Sequence, residues 1–275
     1  MIYPFSTTGL SWALFSTAAV VNAVPHALLR RDDSYEIVDC GGNTDRIQKA
    51  LDDAAALAKI AEGIDDESTA FTHYLRKDDK SYATDLWKTI AMNNDPSTAP
   101  YQFTIRCVNS CTGDEANSLA VTDATPPIND VPRREMKICP LFFTSARTAN
   151  NLDSKKYDGD KRGSWCQTGQ KFKDFETAGH TILHEMTHLD AVGTAAGMPE
   201  RAQDGFRSHG TDDVVGYGDD YVTTARAFLS DWVNHADEMH PNALKPYQNA
   251  ENIAAAATEW WFLQSCKDTL QEISL

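Results

Sequence analysis

His184-Glu185-Met186-Thr187-His188 is the stretch on which the reading of this chain turns. In an α-helix, residues four apart share a face, so both imidazoles point the same way and Glu185 stands one position along from the first. Zinc takes imidazole nitrogen at about 2.0–2.1 Å and prefers four ligands, so two histidines call for a third protein ligand and leave one position for water. A carboxylate beside that water can accept its proton, which is the layout of a metal-assisted peptide hydrolase. The flanks predict a helix that bears the motif. Asp174-Phe175-Glu176-Thr177 offers an N-cap and early acidic residues. Ala178, Ile182, Leu183, Met186 and Leu189 follow as an apolar stripe at helical spacing, and Gly193 and Gly197 end it.

Working outward, residues 44–62 predict an amphipathic helix through Ile47, Ala50, Leu51, Ala54, Leu57 and Ala61, with Gly63 as its stop. Residues 101–108 alternate as a half-buried strand does, and residues 135–143 form a second strand candidate interrupted by Pro140. The polar segments 109–134 and 145–171 predict loops, and residues 191–217, with five glycines, an irregular stretch. Residues 221–233 and 247–263 predict two further helices, the last closing on Trp260-Trp261-Phe262 as core.

A chain of 275 residues with 41% hydrophobic content and six tryptophans suits one large domain. The net charge of −15 and a pI near 4.8 argue against nucleic acid as a partner. Residues 10–23 are apolar, and Val21-Asn22-Ala23 has the small-residue pattern of a signal-peptidase site. The stretch is short for a membrane span, so residues 1–23 predict a signal peptide and no stable membrane anchor. Arg30-Arg31 predicts dibasic processing, giving a short propeptide 24–31 and a single domain 32–275, expected to be a secreted, extracellular monomer. Cys40, Cys107, Cys111, Cys139, Cys166 and Cys266 all follow that region. An even count in a secreted chain predicts three disulfides, with fifteen connectivities open.

The third ligand must come from beyond His188. Thr194 stands where a third histidine six residues on would be needed, which excludes that pattern. The turn Gly210-Thr211-Asp212-Asp213-Val214-Val215-Gly216-Tyr217-Gly218 offers Asp212 or Asp213, and Glu251 on the following helix is a further candidate. A tyrosine hydroxyl on that turn, Tyr217, can stabilise an oxyanion. His180, one turn before His184, reads as packing or support, because successive steps of four drift around a helix.

Together, the His-Glu-x-x-His helix and the Gly210-Thr211-x-Asp213…Tyr217-Gly218 turn resemble the aspzincins, the fungal deuterolysins and lysine-specific metallo-endopeptidases. Asn249-Ala250-Glu251-Asn252, the Ile138-Cys139-Pro140-Leu141-Phe142-Phe143 segment, and Cys40 before the first helix are similar to that family as well. The resemblance implies an α+β fold, mainly helical and zincin-type, with a small antiparallel sheet and a metal-bearing helix. It implies one Zn2+ ion held by His184, His188 and Asp213, Glu185 as general base, Tyr217 as oxyanion donor, and protein or peptide substrates. The turn is one residue longer than the family's Asp-x-x-Tyr-Gly spacing, so Asp212 stays open as the ligand. Acidic residues on the last helix hold the substrate lysine in the lysine-specific branch. Glu251 is therefore the substrate-binding residue the resemblance points to, whereas Ala254 replaces the second acid and leaves the cleavage specificity open. Read with the cysteine order, the resemblance pairs Cys40–Cys107, Cys111–Cys139 and Cys166–Cys266. The expected function is a secreted zinc-dependent endopeptidase. The alternative is a secreted zinc-binding or host-interaction protein of the same fold without turnover, for which Glu185 would have no use.

Overall fold

The spacing that predicts the first helix also decides what it packs against. The computed structural model describes residues 35–92, 102–122, 135–155, 164–203, 206–217, 220–240 and 242–275. The signal-peptide and propeptide segments expected at 1–31 lie outside the described residues, which all belong to the unit Asp32–Leu275. Strand β1 (Tyr35–Val38) leads into helix α1 (Thr44–Ala61), which buries Ile47, Ala50, Leu51, Ala54, Leu57 and Ala58 along one face. Helices α2 (Thr69–Thr72) and α3 (Lys80–Met92) follow, the latter burying Ala83, Leu86, Trp87 and Ile90. Strands β2 (Phe103–Cys107), β3 (Ala120–Thr122) and β4 (Glu135–Ile138) complete the first half of the fold.

The second half holds the motif. Helix α4 (Ala178–His188) carries it, and α5 (Asp190–Ala195) follows at once because Leu189 adopts an extended backbone and breaks the coil. A hairpin of β5 (Arg201–Gln203) and β6 (Phe206–Ser208) precedes α6 (Tyr221–Asn234) and α7 (Ala250–Ser265). Helix α4 lies against both α1 and α7. Gly179 makes the crossing with α1 possible, since a Cβ there would sit 2.4 Å from the Asp53 Cβ. Helix α7 is buried nearly all round, and its run Ala254–Ala257 lets neighbouring backbones approach closely.

The class is α+β, but the sheet differs from the expectation. Its order is β1-β2-β4-β3; β1/β2 and β2/β4 are parallel, and only β3/β4 is antiparallel, so the sheet is mixed. Strand β3 arises inside the polar segment expected to be loop, and β4 stops at Ile138, with Pro140 opening a 3₁₀ turn. Helix α4 is capped by the Thr177 side chain, which accepts from His180 N, rather than by Asp174, which ends a separate 3₁₀ turn. The excursion before α4 is anchored by buried Leu152 and Trp165. Of the Trp260-Trp261-Phe262 run, Phe262 is fully buried and both tryptophans pack partly against the core.

The described structure contains the bridges Cys40–Cys107, Cys111–Cys139 and Cys166–Cys266, the pairs the resemblance implies. The last spans 100 residues and ties the approach to α4 to the end of α7. Opening a loop of that length costs about 4–5 kcal/mol in the chain-entropy model. The Cys166→Ser/Cys266→Ser double variant should lose stability of that order in urea unfolding, while keeping the far-ultraviolet circular dichroism of the folded chain.

Candidate metal centre

Helix α4 places His184 and His188 on one face, both buried. Each ring has its Nδ1 engaged: His184 Nδ1 donates to Glu251 Oε2 at 2.9 Å, and His188 Nδ1 to the Thr211 carbonyl at 3.1 Å. In a neutral imidazole, a proton on Nδ1 leaves the Nε2 lone pair free. The two Nε2 atoms stand 3.3 Å apart. Asp213 Oδ1 lies 3.1 Å from the first and 3.6 Å from the second, buried and without a hydrogen-bond donor. Three acceptor atoms therefore converge on one point, and a cation is what satisfies them. A tetrahedral ion with nitrogen ligands at about 2.05 Å spaces those ligands by about 3.3–3.4 Å, so these residues fit zinc. Burial opposes the charge on Asp213, and the two imidazoles outweigh it, holding the carboxyl far below the ordinary carboxylate range. Burial likewise opposes a charged His184, and Asp213 and Glu251 outweigh it, raising its pKa well above the histidine value.

The turn that presents Asp213 is held by main chain on both sides. Thr211 N donates to Thr187 O at 2.9 Å, which docks the turn on the end of α4. Asp212 N donates to Gln248 O and Ala250 N to Asp212 O, at 2.8 and 2.9 Å, which docks it on the start of α7. Asn249 Oδ1 accepts from Val214 N at 3.0 Å. Two glycines allow so close an approach: a Cβ at Gly210 would meet His188 O at 2.1 Å, and one at Gly193 would meet His209 O at 1.9 Å.

Arg201 separates the two aspartates. Its guanidinium pairs with Asp212 Oδ2 at 2.8 Å and donates to the Gly210 and Thr211 carbonyls. Asp212 therefore faces away into an ion pair, and Asp213 faces the histidines. His209 and Asp190 are joined to each other rather than to the ligands.

Glu185 is buried beside the ligands, and its Oε2 accepts from Thr122 Oγ1 at 2.8 Å. Thr122 ends β3, the edge strand of the sheet, so the sheet itself steadies the carboxylate. A cavity of about 570 Å³ opens over Glu185, the two histidines and Asp213, with β3 along one wall.

One expected residue stands away from the centre, and another lies within it but is already engaged. Tyr217 is 39% exposed, its ring lies edge-on to Phe228, and its hydroxyl is bonded to Asp231. The tyrosine at the centre is Tyr221, whose ring packs against His184 with centroids 5.6 Å apart and which lines the cavity. Burial first, then the Asp213 charge, pushes its hydroxyl pKa up. Tyr217 and Tyr221 are four apart, and the direction in which α6 starts decides which ring meets the ligands. Glu251 is not a free substrate contact: only 3% exposed, it is spent on His184 and His180. Burial works to raise its carboxyl, and the charges and hydrogen bonds of His180 and His184 outweigh it, holding it at about 2.

A solved zinc peptidase from Grifola frondosa is similar to this chain at a TM-score of 0.43 and 14% identity, over 78% of this chain and 90% of that one. No protein-family model and no curated protein matches the chain.

Equilibrium dialysis against zinc separates the two aspartates. Asp213→Ala should lose the ion, and Asp212→Ala should keep it, because Asp212 spends its carboxylate on Arg201. Gly210→Ala should weaken binding as the turn is pushed off the end of α4.

Proposed function

We propose that this chain is a zinc-dependent endopeptidase of the aspzincin kind, secreted and acting on protein or peptide substrates. The observation that carries the reading is the convergence of His184 Nε2, His188 Nε2 and Asp213 Oδ1, with the Glu185 carboxylate beside them. Zinc held there supplies Lewis acidity to a water molecule and to the scissile carbonyl. Every other part of the chemistry belongs to the chain. Glu185 takes one proton from the attacking water, whose oxygen bonds to the carbonyl carbon, and returns it to the amine nitrogen as the C–N bond breaks. Thr122 keeps the Glu185 carboxylate turned into the cavity. Tyr221 donates to the carbonyl oxygen as that oxygen gains negative charge, the role first expected of Tyr217.

The cavity suits an extended segment of peptide. Part of its wall is β3, a strand at one edge of the sheet, and an edge strand can take a further strand beside it. Three disulfides support a working place outside the reducing cytosol. Among the described residues no helix is long and apolar enough to cross a membrane.

Digestion of casein, read alongside zinc content, tests the assignment. Glu185→Gln should hold zinc and cleave nothing, since the carboxylate is a base and not a ligand. Tyr221→Phe should lose about 10²–10³ in rate, the worth of one oxyanion donor, and Tyr217→Phe should match the wild type. A wild type that carries zinc and cleaves no peptide across a broad library overturns the reading.

A further inference from the structure

His180 is buried, one helical turn before His184, and too far round α4 to reach the ion: steps of four residues drift by about 40° each. It faces Glu251 instead. Glu251 leaves the first turn of α7 and enters between the two rings, its Oε2 2.9 Å from His184 Nδ1 and its Oε1 3.2 Å from His180 Nε2. The other nitrogen of His180, Nδ1, lies 2.8 Å from the hydroxyl of Thr258, which is fully buried two turns along α7. A hydroxyl donating to Nδ1 keeps the His180 proton on Nε2, the side that meets Glu251.

We infer that His180 is a positioning residue for the metal centre: with Thr258 behind it, it fixes the Glu251 carboxylate, which in turn holds the His184 ring with Nε2 aimed at the ion. The inference rests on the zinc reading above. Glu251 is only 3% exposed, and a water admitted from the cavity that it and His180 line lacks the fixed direction of the ring. Its Oε2 is hydrogen-bonded to His184, and its Oε1, buried and without a hydrogen-bond donor in line, has the His180 ring 3.2 Å away. Without His180, Oε1 loses the one polar ring beside it, and a buried carboxylate left in that state tilts away or takes up a proton. Either change loosens the grip on His184 Nδ1 and with it the orientation and basicity of the ligand. Partners that orient a ligating histidine in this way are worth about 10–100-fold in metal affinity.

Zinc dissociation constants, measured by competition with a chromophoric chelator, test this together with the melting temperature of the metal-free protein. His180→Ala should weaken zinc by about 10–100-fold. His180→Gln, whose side-chain nitrogen carries protons near the place of Nε2, should recover most of that loss. Thr258→Val should weaken binding several-fold with an unchanged melting temperature of the metal-free protein. His180→Ala that binds zinc as the wild type does, or His180→Gln as weak as His180→Ala, overturns the inference. Should His180→Ala fail to fold, Thr258→Val decides, and wild-type affinity in that variant overturns it. A wild type that binds no zinc removes the zinc reading itself. A wild type that binds it, with His180→Ala unaffected, removes only the role of His180.

Discussion

A site made of two helical histidines and one distant carboxylate depends on how the carboxylate is held. Helix geometry puts His184 and His188 on one face of α4, and Glu251 and the Thr211 carbonyl turn their rings. Asp213 follows 25 residues after His188 and must arrive within a few tenths of an ångström of its place to complete a tetrahedral set. The chain meets this demand with main-chain bonds, which have no rotamers to lose. Thr211 is bonded to the end of α4, and Asp212 is bonded on both sides to the start of α7. The side chain of Asp213 supplies only the last reach. Gly193 and Gly210 matter for the same reason, since the backbones they separate stand closer than any Cβ allows.

The docking helix α7 resolves a second difficulty, the burial of charge. Half of its residues are alanine or aromatic, yet Glu251 and Glu259 lie on it almost wholly out of water. A buried carboxylate is costly unless it is paired and hydrogen-bonded. Glu251 meets His180 and His184, and Glu259 meets His73 at 2.9 Å and Arg226 at 2.9 Å. Arg226 also donates to Tyr74 and to the Ile273 carbonyl. The first acid braces the ligands, and the second ties α2, α6 and the chain end to the same helix.

What the sequence made legible was local. The spacing of the two histidines and their apolar stripe fixes α4, and the stripe through Ile47, Leu51 and Leu57 fixes α1, because helical periodicity is written along the chain. The stripe of Ala83, Leu86, Trp87 and Ile90 in α3 is of the same kind. What was not legible came from partners far away. Arg201 decides between Asp212 and Asp213, and nothing in the turn itself does. The path of α6 sends Tyr221 rather than Tyr217 to the ligands. The reach of His180 and His184 turns Glu251 inward, where the family resemblance pointed to an acid for substrate. Strand β3 has three residues in a polar segment, too few to show alternation, and exists through its pairing with β4.

The placement of α7 has a consequence for the order in which the molecule is built. During synthesis α4 emerges well before α7, so both histidines exist while Glu251 and the backbone partners of the Asp213 turn do not. Contacts so far apart in sequence form late, and domains that depend on them stay incomplete until the final segment has docked. Until α7 is in place, the ligand turn has only one of its two anchors and His184 has no carboxylate at its back. On the zinc reading proposed above, the centre is therefore complete only once α7 has docked.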